Sequence, residues 1–420
     1  MAIYYVDPLN GSPANNGLSA DAPIKTNVGL NVQPGDTVLF KRGSLIRGVL
    51  HNVNGEEGRP VTYGAYGEGA NPIFSGSVDV SAPECWQKYE GMDNVWRCVG
   101  ALDACVGNFV FDQKEGGAFR WEKNELSEQG DWYDSAADKI ETEMSAQEHE
   151  VLMYSAGNPG EVYYHIECAQ CKHRALAKTG HDLIIENLTF QNNGLHGIAT
   201  GVHNKNMIVR GCRFEFIGGS VWSKELKIRF GNAVEFWTTA ENILVERCVF
   251  YDIYDSAVTH QGPGEKCDCA RNLAFKHNIF LRCGMAAYEQ RDKLPLSGEF
   301  SGNVCADAGR GFSHKGETLP RKSEIWPAPM GHHIFLWRIE QLTPGAKFEI
   351  RDNVFMNAYA GAAIYSVNCP EADAQTVIDD NKYCLNERVL LARIGGHDYN
   401  DFDEYVRATG KDTHSLCADL

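Results

Sequence analysis

From residue 184 onward the chain repeats one line of alternating apolar and polar positions. It reads Ile184-Ile185-Glu186-Asn187-Leu188-Thr189-Phe190, then Ile208-Val209-Arg210-Gly211-Cys212-Arg213-Phe214, then Leu244-Val245-Glu246-Arg247-Cys248-Val249-Phe250, then Ala274-Phe275-Lys276-His277-Asn278-Ile279-Phe280. Looser copies end at Cys305, Phe355 and Tyr383. The steps between the closing residues are 24 (Phe190 to Phe214), 36 (to Phe250), 30 (to Phe280), 25 (to Cys305), 50 (to Phe355) and 28 (to Tyr383), and the 50 reads as two coils. Alternation with period 2 predicts that each line is a strand, with every second residue pointing inward. A unit this short cannot bury its apolar face alone, so successive units must stack, with their strands pairing in parallel. Residue type is kept from unit to unit, Cys212 above Cys248 and Asn278 above Asn303 and Asn353, as internal ladders require.

The same pattern resembles the right-handed parallel β-helix proteins of the pectate-lyase-like superfamily. The resemblance extends to the opening Tyr4-Tyr5-Val6-Asp7-Pro8 with the turn Asn10-Gly11-Ser12, to Pro34-Gly35-Asp36-Thr37-Val38, and to Tyr63-Gly64-Ala65-Tyr66-Gly67-Glu68-Gly69. It implies an all-β, single-stranded right-handed parallel β-helix, and it implies polysaccharide lyases and glycoside hydrolases as the company the chain keeps. One fold hosts many chemistries, so the reaction must be argued from the site.

The organisation expected is an N-terminal cap with the first coils over 1–79, an inserted antiparallel β lobe over 80–167, the main β-helix over 168–385 and a C-terminal cap over 386–420. The lobe is placed where the repeat disappears and Trp86, Trp96, Trp121 and Trp132 cluster. These rings either border a sugar-binding groove or fill the lobe's own core. Insertions at 219–230, 261–271 and 313–331 are loops of the kind that carry function on a rigid scaffold. The stretch around Asp401 predicts a short capped helix.

Composition narrows the partners. The 420 residues are 43% hydrophobic and 10% aromatic, with 42 glycines for a fold that turns at every corner. A net charge of −17 disfavours nucleic acid and anionic membrane surfaces. No apolar run is long enough to span a bilayer. The start at Met1 lacks a basic and apolar leader, and fourteen cysteines in a chain that needs no staples read as reduced thiols, so a cytoplasmic setting is expected, or secretion had a leader been removed. Monomer and homo-oligomer both remain open.

The strand following each line carries residues unusual for a packed wall. Glu235 and Trp237 stand on one coil, Asp255, His260 and Gln261 on the next, Glu289 and Arg291 on the third. Rungs of a β-helix lie ~4.8 Å apart. Carboxylates one or two rungs apart thus approach the ~5 Å or ~6.5–9.5 Å separations of retaining and inverting glycosidases. Glu235 and Asp255 are the expected catalytic pair, with Glu289 in reserve. His260, Gln261, Arg291, Trp237, Lys315 and Trp326 are the expected sugar-binding residues, and an oligosaccharide or polysaccharide is the expected substrate. The alternative for the carboxylates is a corner residue bonding backbone groups. The rival chemistry is β-elimination from a uronate, with Lys224, Arg229, Arg291 or Lys315 as base, and the third reading is a β-helix that binds a glycan without turnover.

No cofactor is expected. Asp7, Asn10, Asn15 and Asn16 are oxygen donors that either ligate calcium or cap the first coil, and the cap is the preferred reading. Cys168, Cys171 and His173 with Cys267 and Cys269 have zinc-like spacing, but buried free thiols are preferred and no metal is expected.

Overall fold

The computed structural model describes the chain apart from residues 141, 146, 172–179, 202, 263–269, 294–296, 313–314, 316–329, 342–343, 360–364, 368, 386–389 and 420. The repeat forms a right-handed single-stranded parallel β-helix with three long sheets of ten, ten and eight strands. In its central coils the first sheet holds His181–Glu186, Asn204–Arg210, Ala240–Glu246 and Ala270–Lys276, and the second holds Thr189–Gln191, Arg213–Ile217, Val249–Ile253 and Ile279–Leu281. Ile198–Thr200, Val234–Trp237, Ser256–Gln261, Ala286–Lys293 and His332–Gln341 follow one another in the third. The solenoid reaches further than the repeat does, because Ile3–Val6 opens the first sheet and Leu416–Asp419 closes the second.

Each repeated line proves to be two strands rather than one. The chain turns from the first sheet to the second inside it, at Asn187, Gly211, Arg247, His277, Gly302, Asp352 and Asp380, whose φ values lie between 52° and 65°. Glycine and Asn/Asp tolerate this left-handed conformation most readily; Arg247 and His277 adopt it because the coil over-determines the corner. The residue after each corner points inward, which is why Leu188, Cys212, Cys248, Asn278, Asn303, Asn353 and Asn381 are all buried.

The 50-residue step is a single coil, not two. Val304–Ala308 pairs directly with Val354–Ala358, and the extra length lies between Ala308 and His332. The closing aromatics form the expected row: Phe74, Phe190, Phe214, Phe250 and Phe280 stack with centroids 4.9–5.8 Å apart. Beside them the asparagines hand backbone N–H groups upward. Cys248 N–H donates to Asn278 Oδ1, Asn278 N–H to Asn303 Oδ1, Asn303 N–H to Asn353 Oδ1 and Asn353 N–H to Asn381 Oδ1, each at 2.9–3.0 Å. Every corner amide buried in this column is thereby satisfied.

The insertion is antiparallel, as expected, and rests on the strands Ser77–Asp79, Val106–Phe111 and Ile166–Gln170. Trp86 and Trp132 are fully buried in its core, and Trp96 and Trp121 pack against that core, so these rings fill the lobe. It meets the solenoid backbone to backbone: a Cβ on Gly107 would lie 2.6 Å from Gly194 Cα, and one on Gly219 would lie 2.3 Å from Gly107 O. Arg229 fastens the joint, donating to Gly219 O (2.8 Å) and Gly107 O (3.1 Å) with its guanidinium over the rings of Tyr254 and Phe119.

The C-terminal helix Phe402–Thr409 is capped by Asp401, which accepts the Glu404 N–H, and it ends at Gly410 in the left-handed region. Its Tyr405 is buried on the core. Among the described residues no helix is long and apolar enough to cross a membrane.

Candidate active site

Register fixes which side chains of the third sheet share a row. Glu235 lies beside Thr259, and Thr259 beside Glu289; Trp237 lies beside Gln261, and Arg291 beside Trp337. Their neighbours Val234, Phe236, Val258, Tyr288, Ile334 and Leu336 belong to the solenoid core, so these rows face outward. The alternation separates the expected residues. His260 stands in register with Phe236 and Gln290, inside the core, where its Nε2–H donates to Thr238 O at 2.7 Å and its Nδ1 accepts from Gln290 Nε2 at 3.0 Å. It is fully buried and braces the coil, so the expectation that it holds sugar hydroxyls is corrected.

Glu235, Asp255 and Glu289 do gather on this face, and all three are nearly buried. Glu235 Oε2 accepts Asn232 Nδ2–H at 2.5 Å and Gln261 Nε2–H at 3.1 Å, with His196 Nδ1 3.5 Å away. Because His196 Nδ1 accepts the Asn232 backbone N–H at 3.1 Å, it offers Glu235 no proton and the contact is no ion pair. Asp255 precedes the strand, at the corner, and accepts the Gly231 N–H at 3.4 Å, a long bond.

Glu289 Oε1 accepts Trp337 Nε1–H at 2.5 Å and its Oε2 accepts Ser256 Oγ–H at 2.8 Å. Burial pushes its carboxyl above the usual range, against the pull of Arg291, and the nearby Asp255 charge raises it further. Glu289 therefore favours its protonated form. Trp237, 36% exposed, and the partly exposed Arg291 give the face an aromatic plane and a cation.

The remaining expectations divide. Lys315 stands elsewhere, paired with Glu115 at 2.6 Å in a cleft of about 260 Å³ on the lobe that Arg120, Glu128, Gln129 and Tyr163 also line. None of the three carboxylates lines that cleft. In the cleft Lys315 is paired with Glu115 and Arg120 with Asp131 at 2.8 Å, and the outward face of the third sheet, which holds the three carboxylates, is the better candidate. Trp326 lies outside the described residues, as do His173, Cys267 and Cys269. Cys168 and Cys171 are buried in two different clusters, Cys168 with the lobe core and Cys171 with Cys105 and Met144, so they do not face a common ion. Asp7 accepts the N–H groups of Leu9 and Asn10 at 3.0 and 2.9 Å, which is the cap role.

Of the four cations considered as bases, Lys224 reaches Ser135 O of the lobe, Arg229 is locked in the lobe joint and Lys315 is paired, while Arg291 stands on the face with its guanidinium over the Trp337 ring. Reading the strand residues alone missed His196, Asn232, Ser256, Thr259 and Trp337. Asn232, Ser256 and Thr259 sit within the very stretches that carry Glu235 and Asp255; Asn232 and Ser256 donate to Glu235 and Glu289, and register puts Thr259 in the row between them.

Three long parallel sheets wound by single-strand turns define a right-handed parallel β-helix protein. No family model matches the chain, and no curated protein matches it. Solved structures do. The chain is similar to a structure described as the complex of XylC with xylose, at 12% identity and a TM-score of 0.53, over 93% of this chain and 64% of that one. It is similar to the GH136 lacto-N-biosidase from Eubacterium ramulus, at 14% identity and a TM-score of 0.50, over 100% of this chain and 68% of that one. Pectate lyase Pel9A matches at 12% identity and a TM-score of 0.51, over 100% and 77%. At these identities the likeness establishes the fold, and the chain spans less than two thirds of the first of them.

Proposed function

We propose that the protein is a carbohydrate-active enzyme that hydrolyses a glycosidic bond of an oligosaccharide, with Glu289 as general acid and Glu235 as its partner carboxylate. The observation that carries the reading is the asymmetry of the carboxylates. Glu289 is deeply buried beside the Asp255 charge and favours its protonated form, while Glu235, two rungs away, is held in place by two amide donors, Asn232 and Gln261. A carboxyl that keeps its proton, with a second carboxyl held across from it, is what glycoside cleavage needs. Trp237 offers a sugar ring its face and Gln261 braces Glu235. Structural neighbours named as a lacto-N-biosidase and a pectate lyase agree with a carbohydrate substrate. Of the four bases considered for elimination, Lys224, Arg229 and Lys315 are committed to other contacts, and Arg291 lies over the Trp337 ring.

The test is a panel of neutral and acidic oligosaccharides with product analysis. New reducing ends without an unsaturated, ultraviolet-absorbing product support hydrolysis. An unsaturated product overturns it in favour of a lyase.

A further inference from the structure

Thr259 sits in the row between Glu235 and Glu289, one rung from each. It is fully buried, yet its Oγ1 has no hydrogen-bond partner among the described residues. A buried hydroxyl left unpaired is costly, and its neighbours along the row are two carboxylates. Valine, of the same shape and without the hydroxyl, would be the cheaper residue in a purely structural position. The two glutamates are two rungs apart, about 9–10 Å at the backbone. That is near the upper end of the ~6.5–9.5 Å at which paired carboxyls leave room for a water between them.

Resting on the hydrolase reading above, we infer that Thr259 positions the attacking water, and that the reaction inverts the anomeric configuration. Thr259 Oγ1 accepts one hydrogen of the water and Glu235 accepts the other, which leaves an oxygen lone pair aimed at the anomeric carbon. As the water oxygen bonds to that carbon, its proton passes to Glu235. The bond from the carbon to the glycosidic oxygen breaks, and Glu289 gives its proton to the departing oxygen.

The experiment compares Thr259→Val, Thr259→Ser, Glu235→Gln and Glu289→Gln on whichever oligosaccharide of the panel the wild type cleaves, with the first-formed anomer followed by NMR. A misplaced water costs on the order of 100-fold. Thr259→Val is therefore expected to lower kcat by about that factor with KM within about twofold and the melting temperature unchanged or raised, whereas Thr259→Ser stays within a few-fold of wild type. A crystal structure at about 1.5 Å is expected to place an ordered water on Thr259 Oγ1 and a Glu235 oxygen, at about 2.6–3.2 Å from each. Full kcat in Thr259→Val, a retained anomer, or no water at that place overturns the inference while the loss of turnover in the two glutamine variants leaves the hydrolase reading standing. If the glutamine variants keep wild-type turnover, or the wild type cleaves no member of the panel, the hydrolase reading falls and the inference with it.

Discussion

At Glu289 two opposing effects meet. Burial and the neighbouring Asp255 favour the protonated carboxyl, while Arg291 and the donors Trp337 and Ser256 favour the carboxylate. The direction of the net shift is upward, so the alkaline limb of the pH profile belongs to Glu289. Glu289→Gln, nearly isosteric, is expected to cut kcat by about 10²–10⁴-fold with little change in melting temperature. A full-activity variant with a lowered melting temperature would instead mark a corner residue. Trp337→Phe removes the indole donor, so it is expected to move the alkaline limb upward, read from kcat against pH.

Asp252, which the sequence did not single out, offers an independent check on burial. Its carboxyl is pushed up to about 6 by burial, with Arg282 3.2 Å away offsetting part of that. The folded state thus holds this proton more tightly than the unfolded one. Its stabilising contribution is complete below about pH 4 and is lost as pH rises through about 6. Asp252→Asn, neutral throughout, is expected to match wild type near pH 4 and to exceed it by about 3 kcal/mol near pH 8, at 1.36 kcal/mol per pKa unit. Chemical denaturation at the two pH values measures the difference.

Among the elements, the inner asparagine column and an outer one behave differently. Asn303 accepts the Asn278 N–H and donates to Phe275 O and Asn353 Oδ1, all buried. Asn303→Ala strands those groups and is expected to cost about 2–5 kcal/mol, at 1–3 kcal/mol for each unsatisfied group. On the first sheet Asn206, Asn242 and Asn272 form a second ladder, each amide donating to the residue one coil earlier at 2.8–2.9 Å. That ladder is exposed to water, which can replace a lost partner. Asn242→Ala is accordingly expected to cost no more than about 1 kcal/mol. Urea denaturation of the two variants side by side checks the contrast.

For the whole molecule, the joint between lobe and solenoid is the weak point of the sequence reading and the firm point of the structure. Gly107 lets the lobe's strand lie against Gly194, and Arg229 spends its donors on backbone carbonyls there. Gly107→Ala is expected to push the lobe off the coil, and Arg229→Met to remove at least two charge-assisted hydrogen bonds, at about 1.5–3 kcal/mol each. Both should show as faster cleavage of the lobe ends in limited proteolysis.

The solenoid, its inward aromatic row, the Asn column and the antiparallel insertion were legible because each follows from a local period repeated coil after coil. Local pattern also placed Glu235, Asp255 and Glu289 on one wall. It did not place the corner inside each repeated line, since a single left-handed residue such as Arg247 leaves the apolar alternation almost unchanged. Nor did it distinguish His260 from Gln261. Adjacent residues on a strand face opposite sides, and only the paired register decides which side is the core. Thr259 enters the row of the carboxylates, and Trp337 reaches Glu289, from other coils, Trp337 from 48 residues beyond. Contacts across coils depend on how long each insertion is and where it leaves the wall, which the alternation of apolar and polar residues does not encode; the stacked tertiary structure alone decides them.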